Sequence, residues 1–221
     1  MQLRMVYLIH GINLKPERMA ELEGFLSQDT EIIALPGHKG DSTRNVTKEI
    51  LLEYVDKKIA TDNCAIVGFS LGGLIATKLA IKRNFKKVCL IAPAIYPRGL
   101  KLYLPISRVL SKVPIPLPTL SPKFYSQSRF VYPNLFNALF ELAAEVYSSK
   151  LHINTQGKVF FHPKDRLVDV KRSASWINQN TTWDVELLPE DRCLFNHMLI
   201  SEQSYKGFEG LGTKVRDFLD S

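Results

Sequence analysis

The sequence predicts an α/β protein: a doubly wound, mostly parallel sheet of about six strands, interrupted once by an inserted segment of loops and helices. Three observations lead there. Short apolar runs rich in β-formers alternate with helical apolar stripes. The connections between them are short, as strand–helix–strand units require. The alternation then breaks off over residues 97–150, in a stretch of different composition, and resumes afterwards.

The elements follow in order. MVYLIH at 5–10 is the first strand, and Met19, Leu22, Phe25 and Leu26 then recur at helix spacing. EIIAL at 31–35 is the second strand, closed by Pro36-Gly37. Val46, Ile50, Leu51, Tyr54, Val55 and Ile59 mark the next helix. CAIVGF at 64–69 is apolar throughout, as in a strand buried on both faces. LGGLIATKLAIKR is a helix, and KVCLIAP at 87–93 the fourth strand. Residues 97–150 then hold seven of the twelve prolines, including VPIPLP at 113–118, and eight aromatic residues. Proline at that density does not make core strands, and the stretch is too apolar for a disordered linker. Near its end Leu135, Phe136, Leu139, Phe140, Ala143, Val146 and Tyr147 form a helical stripe. GKVFFH at 157–162 resumes the pattern, followed by a helix over 168–177, the strand TTWDVELL at 181–188 and a last helix carrying Phe208, Leu211, Val215, Phe218 and Leu219. The expected division is a core of 1–96 and 151–221, with 97–150 as a lid lying over the sheet.

Composition narrows the class. A chain of 221 residues, 45% hydrophobic and 23% charged, suits one soluble domain with a sizeable core. No apolar run approaches the roughly 20 residues that span a bilayer. The N-terminal stretch reads as a strand rather than a signal peptide, so a cytoplasmic location is expected. Cys64, Cys89 and Cys193 are odd in number and lack C-x-x-C spacing, which argues against a disulfide framework or a zinc site. Cys64 and Cys89 fall on strands and read as small core residues. Of the net charge of +7, most lies in 97–150, which has seven basic and two acidic residues. No nucleic-acid-binding motif accompanies it.

The strongest chemical signal is Gly68-Phe69-Ser70-Leu71-Gly72-Gly73, between an apolar strand and a helix. In that context G-x-S-x-G is a nucleophile elbow. The turn is so tight that Gly68 and Gly72 must lack side chains, and it holds Ser70 at a helix N-terminus, where developing negative charge is favoured. The alternative is a glycine-rich structural turn. An acyl-transfer serine also needs preorganised N–H donors for the oxyanion. One is the N–H of Leu71. The other is expected just after the first strand, in His10-Gly11-Ile12-Asn13, at Ile12, with His10 holding the loop. The serine needs a base, and of the five histidines His10, His38, His152, His162 and His197, only His197 follows the last strand. Asp165, between the strand KVFFH and a helix, is the expected acid that orients the base. Its alternative role is an N-cap of that helix. Asp169 falls one turn inside the helix, and Asp184 and Asp191 lie within and just after the last strand.

These residues make the chain resemble the α/β-hydrolase family, above all compact bacterial carboxylesterases and monoacylglycerol-lipase-like or lysophospholipase-like serine hydrolases. The resemblance rests on VYLIHG, LPGHKGDS, VGFSLGG, KVFFHPKDRLV and the late NHM, and covers nearly all of the chain outside 97–150. It implies the α/β-hydrolase fold, a triad of Ser70, Asp165 and His197, oxyanion donors at Ile12 and Leu71, a lid after the fourth strand, and no metal or organic cofactor. The chain departs from the family in starting at what corresponds to the third strand, and in a lysine where a short G-H-G turn is common. His38 is read as a loop-structural residue or as part of the cleft. Tyr103, Leu104, Phe124, Tyr125, Phe130, Phe136 and Phe140 line an acyl pocket or serve the lid's own packing. Arg98, Lys101, Arg108, Lys112, Lys123 and Arg129 form a solvated basic face or meet an anionic membrane surface or acidic head group. The expected substrate is a small-molecule or lipid ester. Thioester or carbon–carbon bond hydrolysis on the same triad, or a non-catalytic protein that binds a lipid or partner through the cleft, are the rival readings.

Overall fold

In the run Ala65–Phe69 every side chain is buried, and the same holds for Lys87–Ile91. Two such strands side by side require cover on both faces of the sheet. The computed structural model describes residues 5–38, 42–119, 121–150 and 153–221. His152 and Lys39, Gly40 and Asp41 of LPGHKGDS lie outside the described residues. In chain order the strands are β1 (Met5–Ile9), β2 (Asp29–Ile33), β3 (Ala65–Phe69), β4 (Lys87–Ile91), β5 (Leu117–Pro118), β6 (Phe130–Val131), β7 (Gln156–Phe161) and β8 (Asp184–Leu187). The α-helices are α1 (Ala20–Glu23), α2 (Lys48–Lys58), α3 (Leu71–Ala80), α4 (Leu100–Leu110), α5 (Pro133–Ser148), α6 (Val170–Asn180) and α7 (Phe208–Asp220).

Six strands form one sheet in the order β2-β1-β3-β4-β7-β8, every neighbouring pair parallel. This is the α/β-hydrolase fold, with the six-stranded sheet expected. The chain leaves β1 toward β2 on one side and returns to β3 on the other. The strand order therefore reverses at β1 and β3, and a crevice opens at their C-terminal ends. Leu51 and Val55 of α2 and nearly all of α3 pack on one face with Ile9, Ile66, Leu90 and Phe161. On the other face Leu211, Val215 and Leu219 of α7 pack with Leu8, Val67, Cys89 and Phe160. Thr47 caps α2 by accepting from the Ile50 amide (3.3 Å), and Asp169 caps α6 by accepting from Arg172 (3.1 Å). At the base of the sheet, Lys87 Nζ donates to the carbonyls of Phe218 (2.7 Å) and Leu219 (3.2 Å), closing the C-terminal end of α7.

The structure differs from the sequence expectation in three places. The helix expected through Met19, Leu22, Phe25 and Leu26 is a 3₁₀ turn (Pro16–Met19) and one turn of α-helix (Ala20–Glu23). Gly24 follows, and the chain must reach β2 by Asp29. The proline-rich stretch holds a short antiparallel ribbon, β5 with β6, which its composition gave no reason to expect. The helix α5, drawn into the inserted segment, belongs to the core. Leu135, Leu139, Leu142 and Val146 are buried in the same cluster as the sheet residues, and α5 packs against α2 and α3. At roughly 1.5–3 kcal/mol for each large side chain, lifting α5 away would cost about as much as a whole domain's net stability. The remainder joins that core less completely: α4 packs on α5 with Leu100 buried in the same cluster, β6 enters the cluster through Val131, and β5 is exposed. Among the described residues, no helix is long and apolar enough to cross a membrane.

Candidate active site

Ser70 follows β3 directly and has φ 52°, ψ −112°, in the left-handed half of the map that serine rarely adopts. Neighbouring backbone over-determines it. The Ser70 amide donates to the Ile91 carbonyl (3.0 Å), and its carbonyl accepts from Ala94 (3.0 Å) and Leu74 (3.1 Å). The flanking glycines are required by close approach. A Cβ on Gly72 would lie 2.1 Å from the Ile9 carbonyl oxygen, and one on Gly68 would lie 2.6 Å from that of Gly72. The strand-to-helix turn is thus pressed against β1, which leaves the Ser70 hydroxyl standing at the crevice.

His197 arrives from the loop after β8. Its Nε2 is 2.9 Å from Ser70 Oγ, and its Nδ1 is 2.7 Å from Asp165 Oδ2. The carboxylate can only accept, so Nδ1 carries the proton and Nε2 accepts from the serine hydroxyl. Asp165 Oδ1 accepts from the amides of Leu167 (2.7 Å) and Val168 (2.8 Å). The helix N-cap in this region is Asp169, so Asp165 is left to the histidine. All three residues are buried. The two loops that carry acid and histidine are tied together: Asn196 Nδ2 donates to the Lys164 carbonyl (3.0 Å) and the Arg166 amide to that of Phe195 (3.3 Å). Arg98 Nε donates to the Asp165 carbonyl (3.0 Å), which fixes the acid loop to the start of the inserted segment.

The loop after β1 is held by two histidines. His10 is fully buried; its Nδ1 donates to the Gly11 carbonyl (2.8 Å) and its Nε2 accepts from the Leu35 amide (2.9 Å). His38 Nδ1 donates to the Pro36 carbonyl (3.1 Å) and its Nε2 accepts from the Asn13 amide (2.9 Å). The rings lie 4.7 Å apart. Burial, with His38 as neighbour, pushes His10 down to about 3, and burial also lowers His38. Both are therefore neutral near pH 7, each with one nitrogen available to accept a backbone N–H. Leu71 opens α3, where N–H groups have no intrahelical acceptor, and half-buried Ile12 faces the same cavity as Ser70.

That cavity, about 520 Å³, reaches from Ser70 and His197 to the inserted segment. Its lining includes Leu14, Leu117, Pro118, Pro122, Tyr125 and Phe136, and from the loops that carry Asp165 and His197 also Leu167, Leu194, Phe195 and Met198. Among the described residues lining it there is no lysine, arginine or carboxylate. Of the expected cleft residues Phe136 lines it, whereas His38, Tyr103 and Phe124 do not. His38 is turned under the β1 loop by its two hydrogen bonds. Tyr103 packs on Phe140 (ring centroids 6.0 Å apart) and against Gly99. Phe124 is turned outward beneath the Arg18 guanidinium, 3.7 Å from its ring centroid, with Tyr125 taking the cavity side. Leu104, Phe130 and Phe140 are also outside the lining, while Tyr125 is in it. The walls missed from sequence come mostly from VPIPLP and from the acid and histidine loops; in the latter, each residue's place beside Asp165 or His197 was the available signal. Of the basic residues, Arg98 holds the acid loop and Arg108 pairs with Glu141 (3.2 Å), while Lys101, Lys112, Lys123 and Arg129 are exposed.

Solved structures share this architecture. The monoacylglycerol lipase of Paleococcus ferrophilus is similar with a TM-score of 0.76 at 14% identity, over 99% of this chain and 95% of that one. A soluble variant of monoglyceride lipase from Saccharomyces cerevisiae, in complex with a substrate analogue, gives 0.78 at 16%, over 98% and 87%. Est1E from Butyrivibrio proteoclasticus, with ferulic acid bound, gives 0.69 at 17%, over 99% and 88%. At these identities the likeness is one of fold. No curated protein sequence matches the chain. A sequence model described as the alpha/beta hydrolase family matches residues 6–206, which take in all but the first residue of the six-stranded sheet and the whole inserted segment, and the chain therefore belongs to that family.

Proposed function

We propose that this hydrolase is a serine esterase that cleaves carboxylic esters of apolar acyl chains through Ser70, His197 and Asp165. The observation that carries the reading is the hydrogen-bonded order Ser70 Oγ, His197 Nε2, His197 Nδ1, Asp165 Oδ2 at the floor of an uncharged apolar cavity. In the proposed reaction His197 Nε2 takes the Ser70 proton as Oγ bonds to the ester carbonyl carbon. The oxyanion is held by the N–H groups of Ile12 and Leu71. The ester C–O bond breaks, the alcohol leaves with the proton from His197, and the acyl group remains on Ser70. Water, deprotonated by His197, then attacks the acyl-enzyme and releases the carboxylic acid and Ser70.

The cavity supports an acyl site. Its volume is in the usual range for small-molecule pockets, and it offers hydrocarbon rather than charge. Each methylene that enters it gains about 0.8 kcal/mol, roughly a fourfold change in kcat/KM. In a p-nitrophenyl ester series, kcat/KM is expected to climb about tenfold or more per two carbons from acetate to octanoate. A flat series removes the acyl-site assignment, and octanoyl-CoA turning over faster than the octanoate ester replaces the ester by a thioester. The lid of the proposal is drawn from the exposed part of 97–150, the outer face of α4 and β5, since α5 and Val131 of β6 are buried in the core.

A contact with an anionic lipid surface is the second part of the proposal. Leu102, Tyr103, Ile106, Val109 and Leu110 are exposed on α4, with Lys101 and Lys112 beside them, the pattern of a helix that lies in a membrane interface. Leu117, Leu167 and Phe195, at the cavity, are exposed too. The protein is expected to co-sediment with phosphatidylglycerol vesicles and to lose that binding in high salt or as Val109→Glu; equal binding by the variant removes α4 from the contact.

A further inference from the structure

The loop after β1 is tied to its surroundings through one residue, by its backbone and its side chain alike. Asn13 donates its amide N–H to His38 Nε2 (2.9 Å), and its carbonyl accepts from the Gln127 amide (2.9 Å). Its side chain pairs in both directions with one residue of the inserted segment: Nδ2 donates to the Ser128 carbonyl (2.9 Å), and Oδ1 accepts from the Ser128 amide (3.0 Å). Leu14 bridges antiparallel to Ser126, and the Lys15 amide donates to the Tyr125 carbonyl (2.9 Å). Asn13 is 6% exposed and sits at φ 48°. It is the residue after Ile12, and the segment it grips contains Tyr125, a wall of the cavity.

We infer that Asn13 is a positioning residue for the hydrolytic reaction: it clamps the peptide next to the Ile12 N–H onto the wall of the acyl cavity, so that oxyanion donor and cavity wall are held as one body. The inference rests on the proposed roles of Ser70 and Ile12. The loop lies beyond the end of β1, where backbone bonds from Gln127 to the Asn13 carbonyl and from Lys15 to the Tyr125 carbonyl already join it to the inserted segment, and the Asn13 side chain adds the two bonds at Ser128 that close this join at the left-handed turn itself. His10 and His38 fix the side toward the sheet, and Asn13 fixes the side toward the inserted segment. Asparagine suits both demands, since it enters the left-handed region more readily than other side chains and its amide can donate and accept at once.

The consequence is specific to the transition state. An oxyanion donor acts where charge develops, so a loosened donor lowers kcat and leaves KM nearly unchanged. A residue that only shaped the cavity wall would act on KM. Asn13→Gly separates the two, because glycine keeps the left-handed backbone without strain, and with it the backbone bonds to Gln127 and Tyr125, while removing both side-chain bonds to Ser128. With p-nitrophenyl octanoate, kcat of Asn13→Gly is expected to fall about 10-fold or more with KM within about 3-fold. Hydrogen exchange at the Ser128 amide is expected to quicken at the same time. Asn13→Asp keeps the acceptor for the Ser128 amide and loses the donor to its carbonyl, so its kcat should lie between; it carries the test if the glycine variant does not fold. A kcat within about 2-fold of wild type in a folded variant, or a loss confined to KM, overturns the clamp. Wild-type turnover that does not depend on Ser70 overturns the underlying reading instead, and the clamp with it.

Discussion

Replacing Ser70 by alanine is expected to lower kcat for ester hydrolysis by about 10⁴–10⁶-fold while the protein stays folded. On the proposed mechanism Oγ is the atom that bonds to the acyl carbon, and no other hydroxyl reaches His197 Nε2 among the described residues. What survives is the contribution of the oxyanion donors and of binding alone. The structural cost is small. Alanine loses one hydrogen bond, about 0.5–1.5 kcal/mol, and the backbone of residue 70 remains held by Ile91, Leu74 and Ala94. At roughly 2–4 °C per kcal/mol for a chain of this size, Tm should move by no more than a few degrees. A variant that retains a tenth of wild-type kcat removes Ser70 from the chemistry, and one that loses activity by unfolding would show it in the melting curve.

Asp165→Asn is the second large effect, and its direction follows from the hydrogen bonds. In the native protein Oδ1 accepts from the Leu167 and Val168 amides, and Oδ2 accepts from His197 Nδ1. An asparagine must keep its oxygen toward the two backbone donors, since its NH₂ cannot accept. The NH₂ group then points at His197 Nδ1. Two donors cannot face one another, so the histidine takes the tautomer with its proton on Nε2, the nitrogen that has to receive the Ser70 proton. The expected loss in kcat is about 10⁴-fold, with KM and Tm little changed because the shape and the two backbone bonds are retained. A loss smaller than about tenfold would mean that the tautomer of His197 is not held by Asp165.

How far this was legible in sequence depended on whether a feature is local. The elbow was readable because its requirements sit within six consecutive residues: an apolar strand, two glycines that cannot carry a Cβ, and a helix start. The positions of Asp165 and His197 were readable because each follows a strand, and strand order fixes which loops meet at the crevice. The short helix after β1 was over-read, since the spacing of Met19, Leu22, Phe25 and Leu26 fits a helix, but Gly24 and the distance to β2 allow it only one turn. The cavity walls were hardest. In a proline-rich stretch there is no period to say which side a residue faces, and tertiary contacts decide it. Phe124 and Tyr125 are adjacent, yet an arginine from the 3₁₀ turn holds one outward and the other meets the cavity. Asn13 carries no signal in the sequence, because its partner, Ser128, is 115 positions away.

The central claim, that Ser70 is an activated nucleophile, is tested most directly by reacting the folded protein with a fluorophosphonate and locating the adduct by peptide mass. One adduct is expected, on Ser70, absent from Ser70→Ala and strongly slowed in Asp165→Asn. An adduct on another residue, or folded wild-type protein that turns over esters and never labels at Ser70, would contradict it.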